Sequence, residues 1–298
     1  MLANKQGIMQ TELLKAGTHA VELNGLLQRY HVAGDGPPCI AHSGGPGIDW
    51  EYLRMPLLEK YLTMIYLEPI GTGSSERLPT HPAGYGITRY AAQVEALVRL
   101  LNLPQVFVLG HSHGGFVVQQ FALDHPDLVA GLILYSSSVA TGPDFMPRAA
   151  GALAKFVAAH TDDELVQDVG EAWQSMPAIR TDTEYTHLLQ RLLPVYFADY
   201  RRGDIPFQQL RASIKAHAVT GDGQPFDLRE AAATATTPTL VMTGDQDFIC
   251  GPHWAEIAVA SYPNAQLVIL AHAGHFSHLE QPVKFANTIQ AFVAACAG

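Results

Sequence analysis

The chain has 298 residues, of which 48% are hydrophobic and 15% charged, and its formal net charge at pH 7 is -10. A chain of this length buries roughly three quarters of its unfolded surface and needs no disulfide; its three cysteines (Cys39, Cys250, Cys296) lack C-x-x-C spacing, which indicates reduced thiols in a cytoplasmic protein. The acidic balance excludes nucleic acid as a partner, because phosphates bind to basic surfaces.

The N-terminal segment lacks the apolar core of a signal peptide, and nowhere does the chain approach the roughly 20 consecutive apolar residues of a membrane span. We therefore expect a soluble, cytoplasmic protein without a membrane partner. Two runs of alternating polar and apolar residues, 11–23 and 26–32, meet at Asn24-Gly25, a pair typical of a hairpin turn. The sequence predicts an antiparallel pair of strands here.

Short apolar runs that end in glycine-containing turns alternate with segments of helical periodicity. The runs cover residues 62–67, 106–109, 132–135, 239–242 and 267–270. We interpret all of them as strands buried on both faces. Apolar residues recur at helical spacing over 94–101 and 285–293. The alternation predicts an α/β fold with a mostly parallel sheet and helices on both of its faces.

Strand patterns are absent between residues 140 and 224. Helical patterns over 149–159, 163–173 and 185–197 are interrupted there by prolines. Because strands resume afterwards, the sequence predicts a core domain of residues 1–139 and 225–298 and an inserted helical cap over 140–224. Ordinary packing of these helices within one domain is the alternative.

The segment Gly110-His111-Ser112-His113-Gly114 fits the pattern G-x-S-x-G, with a predicted strand before it and a helix after it. In this setting the serine occupies a tight turn, and the residues two positions away on either side must lack bulky side chains. The helix offers N–H groups and its positive end to a forming anion. We predict Ser112 as a nucleophile; a glycine-rich loop with an incidental serine is the alternative.

A serine hydroxyl reacts only when a base takes its proton and a third group orients that base. Two acids follow the predicted strand at 239–242, in the segment Gly244-Asp245-Gln246-Asp247. We predict that Asp247, which lies deeper in the loop, is the acid. Asp245 is interpreted as a residue that caps or braces the turn.

Three histidines, His272, His275 and His278, follow the predicted strand at 267–270. His275 comes directly after a glycine that allows close approach to the serine, so we predict it as the base. We assign the other two to loop packing or to the start of the last helix. The chain order Ser, Asp, His is the one expected of an α/β-hydrolase.

A zinc site is an alternative use of the histidines. His111 and His113 form H-x-H, and the later three form H-x-x-H-x-x-H. However, the residues directly after His113 include no acid or histidine, and a sharp turn points alternate side chains apart. We therefore expect no metal, and the predicted chemistry requires no cofactor.

A second motif narrows the resemblance to one branch of the α/β-hydrolase fold. The segment His42-Ser43-Gly44-Gly45-Pro46-Gly47 resembles the HGGPG loop of proline iminopeptidases, and the segments GDQDFICGP and AGHFSHLEQP resemble that family's acid and histidine loops. The resemblance covers the core on both sides of the insert. It implies that backbone N–H groups of Gly45, or alternatively Gly44, and of His113 form the oxyanion hole.

The chain departs from this family at several positions. Ser43 separates the histidine from the glycines, and residues 67–74 read LEPIGTGS where the family has D-Q-R-G-x-G-x-S. His113 stands where these peptidases commonly have tryptophan, and the cap lacks their Trp-Glu pair. The family-type chemistry is retained at the motifs, while the residues around them differ.

The predicted cap supplies candidates for substrate recognition without singling out any of them. Acidic residues could bind a substrate's amino group, and aromatic residues could line an acyl pocket, although a solvated face and core packing are the alternatives. The acidic set is Asp144, Asp162, Asp163, Glu164, Asp168, Glu171, Asp199 and Asp204; the aromatic set is Trp173, Tyr196, Phe197 and Tyr200.

Together the motifs predict a serine hydrolase that cleaves an ester or amide bond of a small molecule or short peptide through an acyl-enzyme, with Ser112, His275 and Asp247 as its triad. The resemblance implies proline iminopeptidase-like activity. An esterase, a lactonase or a carbon–carbon bond hydrolase would use the same residues, and a non-catalytic ligand-binding protein on this fold is a further alternative. The sequence does not indicate an oligomeric state.

Overall fold

The computed structural model describes residues 12–221, 223 and 225–296. Residues 1–11, 222, 224, 297 and 298 of the predicted core domain and helical cap lie outside the described residues. Within them, eight strands form one sheet. The strands are β1 (Gly17–Leu23), β2 (Leu26–Ala33), β3 (Pro38–His42), β4 (Thr63–Glu68), β5 (Val106–His111), β6 (Val129–Tyr135), β7 (Thr239–Gly244) and β8 (Ala265–Leu270).

The sheet has the strand order β1-β2-β4-β3-β5-β6-β7-β8. Strand β2 pairs antiparallel with both β1 and β4, and all other pairs are parallel. Asn24 and Gly25 form the turn between β1 and β2 with φ angles of 51° and 76°, as a two-residue hairpin requires. The predicted fold class and the antiparallel N-terminal pair are confirmed.

Helices cover both faces of the sheet. They are α1 (Ile87–Leu100), α2 (His113–Asp124), α3 (Phe145–Ala159), α4 (Glu164–Gln167), α5 (Val169–Ser175), α6 (Asp182–Leu192), α7 (Phe207–Ser213), α8 (Arg229–Ala232), α9 (Pro252–Ser261), α10 (Ser277–Glu280) and α11 (Pro282–Cys296). Alternate residues of a strand enter different cores: on β5, Leu109 packs in the cluster that contains Phe285 of α11, whereas Val108 packs in the cluster that contains Val94 of α1.

Strand β8, at the edge of the sheet, is less buried than predicted. Strands β5 and β7 are buried along their whole length, as predicted, but β8 is only partly buried, and Ile269 is exposed. The reason is position, because β8 lies at the end of the sheet and, among the described residues, pairs with no strand other than β7. An apolar run by itself does not distinguish an edge strand from a central one.

The segment between β6 and β7 is helical, from α3 to α8. Its ends meet at an isolated antiparallel bridge between Ala140 and Asp227. Two of its predicted helices differ in extent. The pattern over 163–173 divides into α4 and α5 around Asp168, and α6 ends at Leu192, where a 3-10 turn containing Pro194 follows. Proline has no N–H for the helical ladder, which accounts for the second break.

Candidate active site

Ser112 occupies the turn between β5 and α2 in a backbone conformation that residues other than glycine rarely adopt. Its φ is 54° and its ψ is -122°. Three hydrogen bonds hold this conformation: its N–H donates to the carbonyl of Tyr135 (3.0 Å), and its carbonyl accepts from the N–H of Gly115 (2.9 Å) and the hydroxyl of Ser137 (2.8 Å). Strain of this kind persists only where the surroundings enforce it.

The glycines beside Ser112 are required by close backbone contacts. A Cβ atom on Gly110 would lie 2.3 Å from the carbonyl oxygen of Gly114, and one on Gly114 would lie 2.2 Å from the carbonyl oxygen of His42. Both distances are far below van der Waals contact. The G-x-S-x-G spacing therefore reflects how tightly α2 turns back onto β5 and β3.

Asp247 and His275 are brought together by the loops after β7 and β8. Asp247 Oδ2 lies 2.8 Å from His275 Nδ1, and their side chains are 0% and 2% exposed. Asp247 Oδ1 accepts the N–H groups of Ile249 (3.0 Å) and Cys250 (2.9 Å). Burial alone raises the pKa of Asp247, but His275 and these donors outweigh it and lower the pKa below its usual value. The carboxylate is therefore ionised at neutral pH.

The other acid of this loop has a different position. Asp245 is exposed, and its Oδ1 accepts the N–H of Ala273 at 3.2 Å, which ties the loop after β7 to the loop after β8. It makes no hydrogen bond to His275 among the described residues. Of the two candidate acids, Asp247 is the one that contacts the candidate base.

His275 lies beside the turn that carries Ser112. Its ring centroid is 4.5 Å from that of His111, the residue before the serine, and its N–H donates to the carbonyl of Tyr196 (2.7 Å). The neighbouring histidines face elsewhere: His272 is exposed, and His278 is buried, with Nε2 2.8 Å from the carbonyl of Tyr52. Burial lowers the pKa of His278 to about 4.

The loop after β3 lies against the serine. A Cβ atom on Gly44 would lie 3.1 Å from Cβ of Ser112, and the N–H of Gly44 donates to the hydroxyl of Tyr52 at 2.7 Å. The N–H groups of Gly45 and His113 have no acceptor within the described residues. Of the two glycines, it is thus Gly45 whose N–H makes no hydrogen bond among the described residues. Its φ of 124° is open to glycine and strains other residues.

A cavity of about 510 Å³ opens above Ser112. It is lined by residues of the loops at the end of the sheet and of the helical segment between β6 and β7, and this lining is mainly apolar. The lining includes Gly45, Pro46, Ser112, His113, Phe116, Phe145, Met146, Trp173, Met176, Ile179, Arg180, Tyr185, Leu188, Leu189, Leu192, Tyr196, Val219, Ile249 and Cys250. Within the part of the chain that the structure describes, the only charged side chain in this lining is Arg180, and no carboxylate contributes to it.

A family model described as alpha/beta hydrolase fold matches residues 37–282. The chain belongs to the alpha/beta hydrolase fold family. The RutD protein of Serratia proteamaculans, named provisionally as a carbamate hydrolase, is 27% identical over 236 residues, which cover 78% of this chain and 80% of that protein. A proline iminopeptidase of Heyndrickxia coagulans is 23% identical over 274 residues, 89% of this chain and 93% of that protein.

Among solved structures, a hydrolase from Pseudomonas aeruginosa PA01 is similar, with a TM-score of 0.68 and 25% identity over 93% of this chain and 98% of that chain. The predicted fold family is thereby confirmed. Proline iminopeptidases are among the relatives, but so is a protein named for another activity, and all are distant. In the described part of this α/β hydrolase, no helix has the length and apolar composition needed to cross a membrane.

The histidines of the H-x-H motif separate in this α/β hydrolase. The His111 ring packs toward His275, whereas the His113 ring packs against Phe116, with 5.7 Å between centroids. No group of three or more His, Cys, Asp or Glu side chains in the described residues is arranged to hold a metal ion. The two histidines therefore do not share a site.

Only part of the cavity lining was predicted from the sequence. Trp173 and Tyr196 line it, but Phe197 and Tyr200 are buried in the core cluster, and none of the eight acidic candidates lines it. Arg180, Ile249 and Cys250 were not predicted. The last two follow Asp247 in the loop after β7, so their proximity to the acid was the only signal available in the sequence.

Proposed function

We propose that this protein is a serine hydrolase that cleaves esters with an apolar acyl group through an acyl-enzyme on Ser112. The observation that carries the proposal is the buried hydrogen bond between Asp247 and His275 beside a strained serine that opens into an apolar cavity. Family membership supports hydrolysis, since the relatives named above are hydrolases and a peptidase. The position of each group suggests a stepwise reaction.

In the first step, His275 Nε2 takes the hydroxyl proton of Ser112 as Oγ attacks the ester carbonyl carbon. Asp247 stabilises the resulting imidazolium. The N–H groups of Gly45 and His113 bind the oxyanion; loss of one such donor typically raises the barrier by about 3 to 4 kcal/mol. His275 then protonates the leaving alcohol as the carbon–oxygen bond breaks. Water repeats the sequence on the acyl-enzyme and releases the acid.

The cavity favours an ester over an N-terminal proline peptide. Such a peptide carries a positive α-amino group, and burying a charge without a partner is unfavourable. In the described lining the only charge is Arg180, which would repel this group. Phe145, Trp173 and Leu188 instead offer apolar surface to an acyl chain. The loops similar to those of proline iminopeptidases supply the chemistry in either case.

The test is labelling by a fluorophosphonate probe, followed by hydrolysis assays. Label on Ser112, loss of label and activity in Ser112→Ala, and retention of both in Ser261→Ala, a serine at the end of α9, are the expected results. p-Nitrophenyl esters should be cleaved and a proline arylamide should not. An unlabelled Ser112 in folded protein would contradict the proposal and favour a ligand-binding role. Efficient release of proline would contradict the ester preference alone.

A further inference from the structure

We infer that Tyr52 and His111 are positioning residues that connect the oxyanion loop to the base through one directed chain of hydrogen bonds. This chain of contacts, Gly44–Tyr52–His111–His275, is called the Tyr52–His111 bridge below. The inference rests on the proposed function, because it assigns a role in the same reaction to two side chains that do not touch substrate.

The donor and the acceptor of each hydrogen bond in the bridge can be assigned. His111 Nε2 lies 3.0 Å from the carbonyl oxygen of His275, which can only accept, so Nε2 carries the proton. Burial lowers the pKa of His111 well below its ordinary value, so the ring is neutral and Nδ1 has a free lone pair. Tyr52 Oη, 2.7 Å from Nδ1, must therefore donate to it. The same hydroxyl oxygen accepts the N–H of Gly44 at 2.7 Å.

The bridge joins parts of the site that lie far apart in the sequence. Gly44 precedes Gly45, His111 precedes Ser112, and the last acceptor is the backbone of His275 itself. The donor loop, the nucleophile turn and the base thus share one hydrogen-bonded chain. A displacement at any link alters the distance between base, nucleophile and oxyanion donors, and small misplacements of this kind lower rates strongly.

The side chains that form these bonds are buried. Tyr52 is 7% exposed and His111 is 1% exposed. When one partner of a buried hydrogen bond is removed, the other is left unsatisfied, and this is unfavourable. The bridge is therefore maintained by the same burial that keeps His111 neutral.

Tyr52 is also fixed independently of its hydroxyl. His278 Nε2 lies 2.8 Å from its backbone carbonyl, and its ring packs on Phe276 with 5.3 Å between centroids. The variant Tyr52→Phe should therefore keep the ring in place while removing Oη. This makes it a substitution that tests the hydrogen bonds rather than the packing.

Tyr66 on β4 offers a matched control. Tyr66 is 1% exposed; its hydroxyl accepts the N–H of Met55 (2.8 Å) and donates to Glu59 (3.1 Å). It thus loses the same kinds of bonds as Tyr52 when changed to phenylalanine, but among the described residues it makes no hydrogen bond to Gly44, His111 or His275. Both variants should lose stability, and only Tyr52→Phe should lose catalysis.

The experiment measures ester hydrolysis per active site, with the sites titrated by a fluorophosphonate. In Tyr52→Phe we expect kcat to fall by about 10- to 100-fold with little change in KM. The affinity for a boronic acid that mimics the tetrahedral intermediate should fall by the same factor. Tyr66→Phe should keep the wild-type kcat. A wild-type kcat in Tyr52→Phe, or an equal loss in both variants, would overturn the inference.

Two variants of His111 separate the links. His111→Asn places an oxygen near the position of Nδ1 and keeps an acceptor for Tyr52, but loses the donor to His275. His111→Gln places an amide near Nε2 and keeps that donor, but leaves Tyr52 without an acceptor. Each should lower kcat. Full activity in both variants would overturn the inference.

The direction of the bridge is tested by NMR on protein with ¹⁵N-labelled histidine. At neutral pH His111 should be the Nε2–H tautomer, and its Nδ1 resonance should shift in Tyr52→Phe. An Nδ1–H tautomer would overturn the bridge whether or not the protein hydrolyses esters. Failure of Ser112 to react would instead refute the proposed function, so the two failures are distinguishable.

Discussion

Asp247 and His275 form a buried pair, with 2.8 Å between Oδ2 of the acid and Nδ1 of the base. The carboxylate keeps a proton on Nδ1, which leaves Nε2 as the atom that can accept the proton of Ser112. In Asp247→Asn the amide can stabilise the opposite tautomer and cannot stabilise the imidazolium. We expect kcat for an ester to fall on the order of 10⁴-fold, measured by steady-state kinetics on folded protein.

Asp245→Asn is the control for this prediction. Asp245 is exposed and contacts the backbone N–H of Ala273, not His275. Its amide variant should retain most of the wild-type kcat. Comparable losses in the two variants would contradict the assignment of the acid role to Asp247 alone.

The sequence predicted those parts of the site that depend on local geometry. The turn around Ser112 is specified by glycines two residues away, and the candidate acid and base follow strands whose carboxyl ends meet at one edge of a parallel sheet. The choice of Asp247 over Asp245 rested on loop depth, and the structure places only Asp247 against His275.

Contacts between residues that lie far apart in the chain could not be predicted from the sequence. Tyr52 and His111 are 59 residues apart, and neither belongs to a periodic pattern that places one against the other. The cavity lining could not be predicted for a similar reason, because the helices between β6 and β7 bury apolar residues both in their own cluster and toward the cavity. Leu188 and Leu192 belong to both sets. Helical spacing alone does not separate these uses.

Replacing each of two glycines by alanine should change the stability of the protein in opposite directions. Gly114→Ala places a Cβ 2.2 Å from a carbonyl oxygen, so α2 or β3 must shift, and we expect destabilisation of about 1 to 3 kcal/mol or more. Gly151 lies inside α3 with open space around it, so Gly151→Ala should stabilise by up to about 1 kcal/mol. Urea unfolding measures both, and a stable Gly114→Ala protein with normal activity would contradict the close packing of the turn.

The acyl chain length that is hydrolysed most efficiently should depend on Trp173. Its ring lines the cavity and packs edge-to-face on Phe248, so Trp173→Ala lengthens the apolar space. Each further methylene that becomes buried adds about 0.8 kcal/mol, or about fourfold in kcat/KM. The optimum in a series of p-nitrophenyl esters should move to longer chains. Trp50→Ala is the control, because Trp50 stacks on His31 outside the cavity lining, and an equal shift there would contradict the prediction.

His217 links the core to the insert through two carboxylates. Its Nε2 lies 2.9 Å from Asp49, in the segment after the oxyanion loop, and its Nδ1 lies 3.1 Å from Asp182, at the start of α6. Arg77, which pairs with Asp182, and His81 also face this group. The insert is therefore held against the core by a group that titrates.

This linkage predicts that the stability of the protein depends on pH. Burial lowers the pKa of His217, but the two carboxylates outweigh it and raise the pKa above its ordinary value. A raised pKa in the folded state adds stability that is fully present below the unfolded-state pKa and is lost as pH rises through the folded-state pKa. The N–H of Gly73 lies 3.1 Å from Nε2 and can donate to it only when Nε2 carries no proton.

His217→Gln lacks this titration and should reveal its contribution. Urea unfolding of wild type and variant from mildly acidic to mildly basic pH should give a difference in unfolding free energy that is largest at the acidic end and shrinks as pH rises. His187→Gln, at an exposed position of α6, should give no such trend. A difference for His217→Gln that stays constant or grows with pH would mean that the ring is neutral between Asp49 and Asp182, and that the insert is held without its charge.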